Sequence, residues 1–304
     1  MQDVSNMNSE YQNNRPNAWG RWGVDDEAGA MNLIGPEQVK RAARLVRTGQ
    51  VVRLAQLLSN QTPIPKHRAG LQHFMGRDGG DYAAGTRQPG GFQFAEDTVI
   101  MPLHIGTHID ALCHAWCDSR MFNNYRDQTM RSMTGATRLG IEKMPPAFTR
   151  GLLLDVVAHK GRPLEDGEVI TRQDLEAILA KDQLQIESGD AILIYTGWLE
   201  NHLGKEEIDF NAEPGIDAQA GLWLAQSEVS LIGSDNYAVE VLPFAPGTVF
   251  PVHQIAIRDY GVALLEGVEL KHLAETGRHE FLFVAAPLTI VGATGSPLTP
   301  LAVL

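Results

Sequence analysis

The sequence has little cysteine, few aromatic residues and a deficit of positive charge. Only Cys113 and Cys117 are present in 304 residues, which excludes a disulfide framework and predicts a reducing, cytoplasmic location. Aromatic residues make up 7% and apolar residues 43%, as is ordinary for a soluble globular protein. The formal net charge of -12 argues against nucleic acid or an anionic membrane as the main partner.

Long apolar runs and targeting signals are also missing from the sequence. No run approaches the length that spans a bilayer, so no membrane partner is expected. The first 14 residues lack the basic segment and apolar core of a secretory signal. Residues 1–18, rich in Asn, Gln and Ser, are predicted to form an N-terminal arm, and residues 19–304 a single compact domain.

Strand and helix patterns alternate along the chain, which predicts a fold of the α/β or mixed α+β class. Apolar, β-branched runs predict buried strands, and apolar residues at helical spacing predict helices. The predicted strands cover 152–157, 191–195, 229–232 and 281–285, and the predicted helices cover 36–46, 218–226 and a segment that begins after Thr171.

The segment 61–91 has a different texture, because Gly, Pro, Arg and His dominate it and no periodicity is visible. A loop of this length in a compact domain is typical of a binding loop, a lid or a subunit contact. A strand over 98–103 is predicted to follow and to lead into the most informative part of the sequence.

That part is the eleven-residue stretch HIGTHIDALCH, which carries His104, His108, Asp110 and His114. All four positions are even, so a straight strand would place them on one face. It would also hold His104 and His108 about 13 Å apart, too far for two donors at about 2 Å from one metal. We therefore predict that the backbone bends or bulges at Gly106, so that both imidazoles converge.

Imidazole and carboxylate groups together suit a zinc or manganese ion. A metal with an open coordination position activates water near neutral pH, so the stretch predicts hydrolytic chemistry. The alternative is that the histidines are buried polar residues without a chemical role, which three histidines in eleven residues disfavour. Cys113 and Cys117 lie beside them as thiolate candidates, although buried free cysteine is commonly a small apolar side chain.

The stretch resembles the HxGTHxDxPxH motif of the metal-dependent cyclase family, which includes kynurenine formamidase, isatin hydrolase and trans-dienelactone hydrolase types. Leu112 stands where the motif has proline. The segments RWGVDDE, NLI and YTGW resemble longer members of the family, and the resemblance extends from about Trp19 to about Leu270. It implies a mixed β/α, swivelling β/β/α-like fold.

The same resemblance implies a division of roles. His104, His108 and Asp110 would bind the metal, and His114 would act as acid or base. A histidine has the intrinsic pKa to take a proton from water and deliver it to a leaving group.

A second element near the C-terminus departs from the family pattern. Formamidase-like members place a histidine and a glutamate twelve residues apart, whereas here Gln254 stands twelve residues before Glu266, and His253 precedes it. An amide oxygen is a weaker ligand than imidazole, and isatin hydrolase-like members resemble this arrangement with one metal. We therefore expect one Mn or Zn ion per subunit with Gln254 as an additional ligand. His253 and Glu266 would surround the ligands or hold a second metal.

The expected function is hydrolysis of an amide or ester bond in a small molecule: a cyclic amide or imide, a lactone or an N-formyl aromatic. The alternatives are a lyase or cyclase on the same site and a non-catalytic metal-binding protein. The resemblance also implies a homodimer or homotetramer, in which the arm and the 61–91 segment help to close the active sites. Apolar substrate walls are expected from Phe74, Phe92, Trp116 and Trp198.

Overall fold

A nine-stranded mixed sheet organises the fold in the computed structural model, which describes residues 15–205 and 208–304. Of the predicted arm, residues 1–14 lie outside the described residues. The described strands are β1 Val51–Arg53, β2 Gln72–Arg77, β3 Glu96–Ile100, β4 His108–Asp110, β5 Met130–Arg131, β6 Gly135–Ala136, β7 Ala147–Asp155, β8 Val169–Ile170, β9 Ala191–Tyr195, β10 Gly215–Ile216, β11 Leu231–Ser234, β12 Ala263–Glu266, β13 Glu280–Ala285, β14 Gly295–Pro297 and β15 Leu301–Val303.

The order in the large sheet is β1-β15-β13-β7-β9-β11-β12-β4-β14. Strands β7, β9, β11 and β12 run parallel, and the flanking pairs are antiparallel. Every residue of β9, β11 and β12 is buried, because helices and loops cover both faces of the parallel part. The mixed α/β class and the single compact fold expected from the sequence are confirmed.

Helices and one π-helical segment connect these strands. The helices are α1 Pro36–Ala43, α2 Gly79–Ala83, α3 Val156–Lys160, α4 Arg172–Lys181, α5 Trp198–His202, α6 Ala218–Gln226, α7 Pro251–His253 and α8 Lys271–Glu275, and the π-helical segment is Gln254–Tyr260. Short 3-10 turns occupy Gly29–Leu33, Pro89–Gly91, Phe122–Asn124, Asp127–Thr129 and Ile141–Lys143.

Local capping explains where several predicted elements begin and end. The Thr171 hydroxyl accepts the Asp174 N–H, and the Asp174 carboxylate accepts the Thr171 N–H, which is the capping box that starts α4. The strand predicted at 152–157 ends earlier, because the Asp155 carboxylate accepts the Ala158 N–H at 2.8 Å and starts α3.

The prediction of an aperiodic loop over 61–91 is wrong for part of its length. The segment contains β2 and α2, and β2 pairs with β3 in a hairpin outside the large sheet. The strand predicted at 98–103 accordingly begins at Glu96 and ends at Ile100. Both faces of this hairpin are exposed, so burial imposes no alternation of polar and apolar residues that a periodicity argument could detect.

Strand β4 carries the centre of the histidine motif and lies between β12 and β14. His108 pairs with Glu266 of β12 and with Pro297 of β14, and Asp110 pairs with Gly295. All three residues of β4 are buried. The sheet therefore fixes the His108 and Asp110 side chains by hydrogen-bonded neighbours on both sides.

A buried ion-pair network away from β4 holds α1 against the sheet. The Asp190 carboxylate accepts hydrogen bonds from Arg150 at 2.6 and 3.1 Å and from Arg41 at 2.9 Å. Asp190 is fully buried, and Arg150 nearly so. Removal of the carboxylate leaves a guanidinium without its buried counter-charge.

We predict that Asp190→Ala lowers the free energy of unfolding by about 3–5 kcal/mol, the usual cost of breaking a buried pair. Denaturant unfolding followed by circular dichroism measures it. The control is Glu37→Ala, which removes the exposed pair with Lys40 and should change stability by less than about 1 kcal/mol. Equal effects of the two variants would contradict the prediction.

Candidate metal centre

The bend expected at Gly106 is present and brings two histidines together. Gly106 has φ +56°, a left-handed conformation that residues with a side chain rarely adopt, so the turn favours glycine. Strand β4 starts only at His108, and His104 lies before the turn. The ring centroids of His104 and His108 are 5.1 Å apart as a result.

The Asp110 carboxylate lies at the centre of four imidazoles. Its Oδ1 is 2.8 Å from His104 Nδ1 and 3.9 Å from His108 Nε2. Its Oδ2 is 3.9 Å from His114 Nε2 and 3.8 Å from His253 Nε2. Asp110 is fully buried, so these four rings are its principal polar surroundings.

Glu266 is a second carboxylate in the same cluster, placed there by its register opposite His108. Its Oε2 is 3.0 Å from His108 Nε2, and its Oε1 is 3.3 Å from His253 Nε2. Two carboxylates and four imidazoles therefore converge, which includes His253 and Glu266 from the C-terminal element.

Three of the rings are oriented through their other nitrogen. His108 Nδ1 lies 3.0 Å from the Gly106 carbonyl, and His253 Nδ1 lies 2.6 Å from Glu240 Oε1. His104 Nε2 lies 3.1 Å from the Thr294 hydroxyl. Such outer contacts are typical of metal-ligating histidines, because they fix the ring and leave one nitrogen for the ion. Glu240 and Thr294 carry no pattern in the sequence that indicates this role.

Several polar atoms that face one another in the cluster lack a hydrogen-bond partner among the described residues. They are His104 Nδ1, His108 Nε2, both Asp110 oxygens and Glu266 Oε1. Buried polar atoms are normally satisfied, so atoms that approach closely without hydrogen-bond geometry indicate a missing shared partner. Two ligand triads are available, His104–Asp110–His114 and His108–Asp110–Glu266. The donors fit a divalent metal of the zinc or manganese type.

Burial and pairing set the protonation of the cluster. Burial lowers the pKa of His108, but the carboxylates of Glu266 and Asp110 raise it above its usual value. His253 also has a raised pKa, because Glu240 and Glu266 outweigh its burial. Burial raises the pKa of Glu266, but its two histidine partners hold it below the usual value. A metal ion would therefore displace protons from these imidazoles.

His114 differs from the other histidines of the cluster. Burial lowers its pKa to about 4, and the nearby His104 and His253 add to that effect while Asp110 opposes it. Its side chain is 29% exposed, more than that of any other ring in the cluster. His114 is thus a neutral base at pH 7 with access to solvent.

The structure places Gln254 differently from the sequence expectation. Its amide oxygen accepts a hydrogen bond from Arg15 at 3.0 Å, and its nitrogen donates to the Val249 carbonyl at 2.8 Å. Both ends of the amide are thus engaged outside the cluster. His253 instead approaches Asp110 and Glu266, at 3.8 and 3.3 Å.

The π-helical segment Gln254–Tyr260 accounts for this difference. His253 precedes Glu266 by thirteen residues, one more than the spacing of the formamidase-like pattern. A π-helical turn accommodates one residue more than an α-helical turn, and such turns are frequent at functional sites. Counting twelve residues back from Glu266 gave Gln254 as the additional ligand and left His253 only a surrounding or second-metal role.

The two cysteines do not join the cluster. Cys113 is buried and its Sγ lies 3.7 Å from the Ala293 carbonyl, and burial raises the pKa of its thiol to about 12. Burial also raises the pKa of Cys117. Neither thiol belongs to a metal triad found among residues 15–205 and 208–304.

A cavity of about 1090 Å³ opens onto the cluster. His114, His253 and Glu266 form its polar end. Its other walls are partly apolar and aromatic, formed by Trp116, Ile208, Phe210, Tyr237, Leu242, Val249 and Phe250, and the loop 65–68 contributes Lys66, His67 and Arg68.

Only one of the four predicted aromatic walls lines this cavity. Trp116 does so, whereas Phe74 and Phe92 lie on or beside the hairpin with 54% and 64% exposure. Trp198 is fully buried and contacts the Tyr237 ring from behind, 5.7 Å between centroids. The residue types suggested aromatic walls, but Phe74 and Phe92 at the hairpin and Trp198 on α5 lie outside the cavity lining.

Comparison with known proteins identifies a family and several structures of similar fold. Residues 40–241 match the Cyclase family model. The crystal structure of a novel cyclase is 37% identical, with a TM-score of 0.89 over 95% of this chain and 100% of the other. Isatin hydrolase A from Ralstonia solanacearum is 22% identical, with a TM-score of 0.62 over 83% and 91% of the two chains. A predicted metal-dependent hydrolase from Bacillus stearothermophilus is 20% identical, with a TM-score of 0.53 over 83% and 97%.

The chain belongs to the Cyclase family, as the motif in the sequence indicated. The solved structures below 25% identity share the fold of this chain. A search of curated proteins gives no match. Within the described part of the chain, no helix has the length and apolar character required to cross a membrane.

We predict that Asp110→Asn weakens Mn or Zn binding by more than about 100-fold, because Asp110 belongs to both triads. Isothermal titration of chelator-treated protein measures the affinity. Gln254→Ala is the matched control and should stay within about threefold of the wild type, since its amide is engaged elsewhere. A larger loss in Gln254→Ala than in Asp110→Asn would contradict this assignment.

The affinity for the metal should also depend on pH with a fixed sign. The raised pKa values of His108 and His253 mean that the ion competes with protons, so affinity falls as pH falls. Titration in buffers of different ionisation enthalpy should show proton release at neutral pH. Proton uptake on binding would overturn the assignment of the charges.

Proposed function

We propose that this chain is a metal-dependent hydrolase that cleaves an amide or ester bond in a small molecule. The substrate classes are a cyclic amide or imide, a lactone or an N-formyl aromatic. One observation carries the proposal: buried donor atoms without partners converge on Asp110 and adjoin a cavity that His114 lines.

The ligands would be His104, His108 and Asp110, with His253 and Glu266 completing the set in place of Gln254. We propose one Mn or Zn ion per subunit. Because two triads share Asp110, the number of ions bound per subunit is a direct check of this proposal. A bound divalent cation polarises a carbonyl group and lowers the pKa of water.

His114 would move the proton in this reaction. Its Nε2 faces Asp110, its side chain is reachable from the cavity, and its depressed pKa leaves it unprotonated at pH 7. It would accept a proton from the attacking water and return that proton to the leaving nitrogen or oxygen. No serine or cysteine nucleophile is required, which agrees with the raised pKa of Cys113.

The cavity and the structural neighbours support a compact, partly apolar substrate. A volume of about 1090 Å³ accommodates a small organic molecule together with water. Three of the similar structures are isatin hydrolases, and the one bound to the product analogue thioisatinate is 19% identical. Sequence identities this low show a shared fold only. A cyclic amide is therefore the first substrate class to assay.

Membership in the Cyclase family favours a second reaction at the same site, in which an acidic proton is removed and no water is added. The His114 base would serve that lyase or cyclase reaction equally well. Turnover in ¹⁸O-labelled water separates the two, because hydrolysis places the label in the product carboxylate. A product without label would contradict hydrolysis and favour the lyase or cyclase.

We predict that His114→Ala keeps its metal but loses about 10²–10⁴-fold in kcat. Turnover of isatin, N-formyl aromatics, cyclic imides and lactones by metal-loaded protein measures the rate, and elemental analysis measures the metal. The control is His272→Ala, which removes an exposed histidine on α8 and should leave both quantities unchanged. Loss of metal together with rate in His114→Ala would show that His114 is mainly a ligand.

We also propose that the chain forms a homodimer or homotetramer through the β2–β3 hairpin. Phe74 and Ile100 lie on one exposed face of this two-stranded ribbon, and Met75 and Val99 lie on the other. A two-stranded ribbon is marginal in water without a covering layer, and exposed apolar patches mark contact surfaces. The same ribbon on a second copy would offer a self-complementary partner.

We predict that the double variant Phe74→Ser with Ile100→Ser shifts the oligomer to monomer at micromolar concentration. Sedimentation velocity measures the change. Val24→Ser is the control, since Val24 is also exposed but lies far from the hairpin in the sequence. A monomeric wild-type protein would contradict the proposal.

A further inference from the structure

Glu213 is a buried carboxylic acid that the proposed reaction does not use. It is 1% exposed, yet it lines the same cavity as His114, His253 and Glu266. It was not singled out by any pattern in the sequence, because it stands in an ordinary polar segment before Pro214. A buried acid at the wall of a cavity is a common functional group, so its surroundings decide what it can do.

Backbone contacts hold Glu213 in a fixed position. Its Oε2 accepts the Tyr237 N–H at 2.8 Å, and its own backbone pairs with Leu242 in both directions, at 3.0 and 2.9 Å. Asn236 Nδ2 donates to the next carbonyl, that of Pro214. Gly215 follows, with no room for a Cβ against the Glu240 backbone. The carboxyl group is therefore preorganised rather than mobile.

The charges around Glu213 are unusual for a carboxylate. No Lys, Arg or His among the described residues forms an ion pair with it. Burial raises its pKa well above the ordinary value, the carboxylates of Glu266 and Asp166 raise it further, and the backbone N–H groups of Tyr237 and Ala238 oppose this. A buried acid without a cation partner is more stable in its neutral form, and the charges of Glu266 and Asp166 act in the same direction.

We propose that Glu213, as a neutral carboxylic acid, donates a hydrogen bond to a carbonyl or ether oxygen of the substrate beside the bond that is cleaved. The proposal rests on the proposed function in one respect, since it takes this cavity as the substrate site. A neutral donor pairs with an uncharged acceptor without burying a charge, and a ligand that offers only donors leaves the O–H of the acid without an acceptor.

The walls near Glu213 define the rest of the substrate class. Tyr237 connects the acid to the metal cluster, since its ring lies 6.4 Å from that of His108. Phe210 meets the Tyr237 ring edge-on at 5.1 Å and also lines the cavity. An aromatic ring fits such a wall by edge-to-face packing. The inferred substrate is therefore an uncharged aromatic molecule with a hydrogen-bond acceptor in addition to its scissile group.

The test measures the binding of two small aromatic probes of similar size to the metal-loaded, full-length protein. Benzamide offers a carbonyl acceptor, and benzylammonium offers only donors and a positive charge. Affinities are measured by calorimetry or by ligand-observed NMR, with metal content checked in each sample. Glu213→Gln keeps a donor and cannot ionise, whereas Glu213→Met removes the hydrogen bond at similar length.

The expected result is that benzamide binds more tightly than benzylammonium to the wild type. Glu213→Gln should stay within about threefold for benzamide, and Glu213→Met should lose about tenfold, with metal content unchanged. The proposal is overturned by unchanged benzamide affinity in Glu213→Met, by absence of benzamide binding to the wild type, or by tighter benzylammonium binding that Glu213→Gln abolishes.

Where Glu213→Met fails to fold, the wild type and Glu213→Gln are compared across pH. Benzamide affinity of the wild type should fall as pH rises and Glu213 ionises, whereas that of Glu213→Gln should not follow, and the same pH dependence in both would overturn the proposal. Turnover is not part of the readout. If the probes bind as expected but the protein hydrolyses none of the substrate classes, only the proposed function is contradicted. If the protein turns over a substrate but the probes bind in one of the ways that overturn the proposal, only the role of Glu213 is contradicted.

Discussion

The convergence of four imidazoles on the buried carboxylate of Asp110 is the interaction on which the site depends. A lone ionised carboxylate in a dry interior is costly, and here it is surrounded by three imidazoles of the HIGTHIDALCH stretch and by His253 of α7. Burial alone would raise the pKa of Asp110, but the neighbouring His114, His104 and His108 hold it well below its usual value. The same negative charge attracts a divalent cation.

Three pieces of backbone geometry make this convergence possible. The left-handed turn at Gly106 brings His104 back towards His108, and the register of β4 against β12 places Glu266 opposite His108. The π-helical segment 254–260 brings His253 to the remaining side. Each of these features positions one donor, so the fold determines where the donors lie and the cavity gives access to them.

Sequence alone predicted the parts of the molecule that depend on short-range pattern. The strand at 191–195, the helix at 218–226, the Thr171 cap and the Gly106 bend follow from apolar runs, side-chain capping and the spacing of two histidines. It failed where long-range packing decides. The hairpin has no buried face to create a pattern, three aromatic rings lie away from the cavity, and His253 rather than Gln254 approaches the carboxylates of the cluster.

The central claim is that a divalent metal binds at Asp110, and anomalous diffraction from crystals grown with Mn or Zn tests it most directly. We predict a strong anomalous peak about 2.0–2.2 Å from an Asp110 oxygen and from imidazole nitrogens of the surrounding histidines. The number of peaks also gives the number of ions. Absence of a peak at Asp110 in metal-saturated crystals, or a peak at Gln254 instead, would contradict the account.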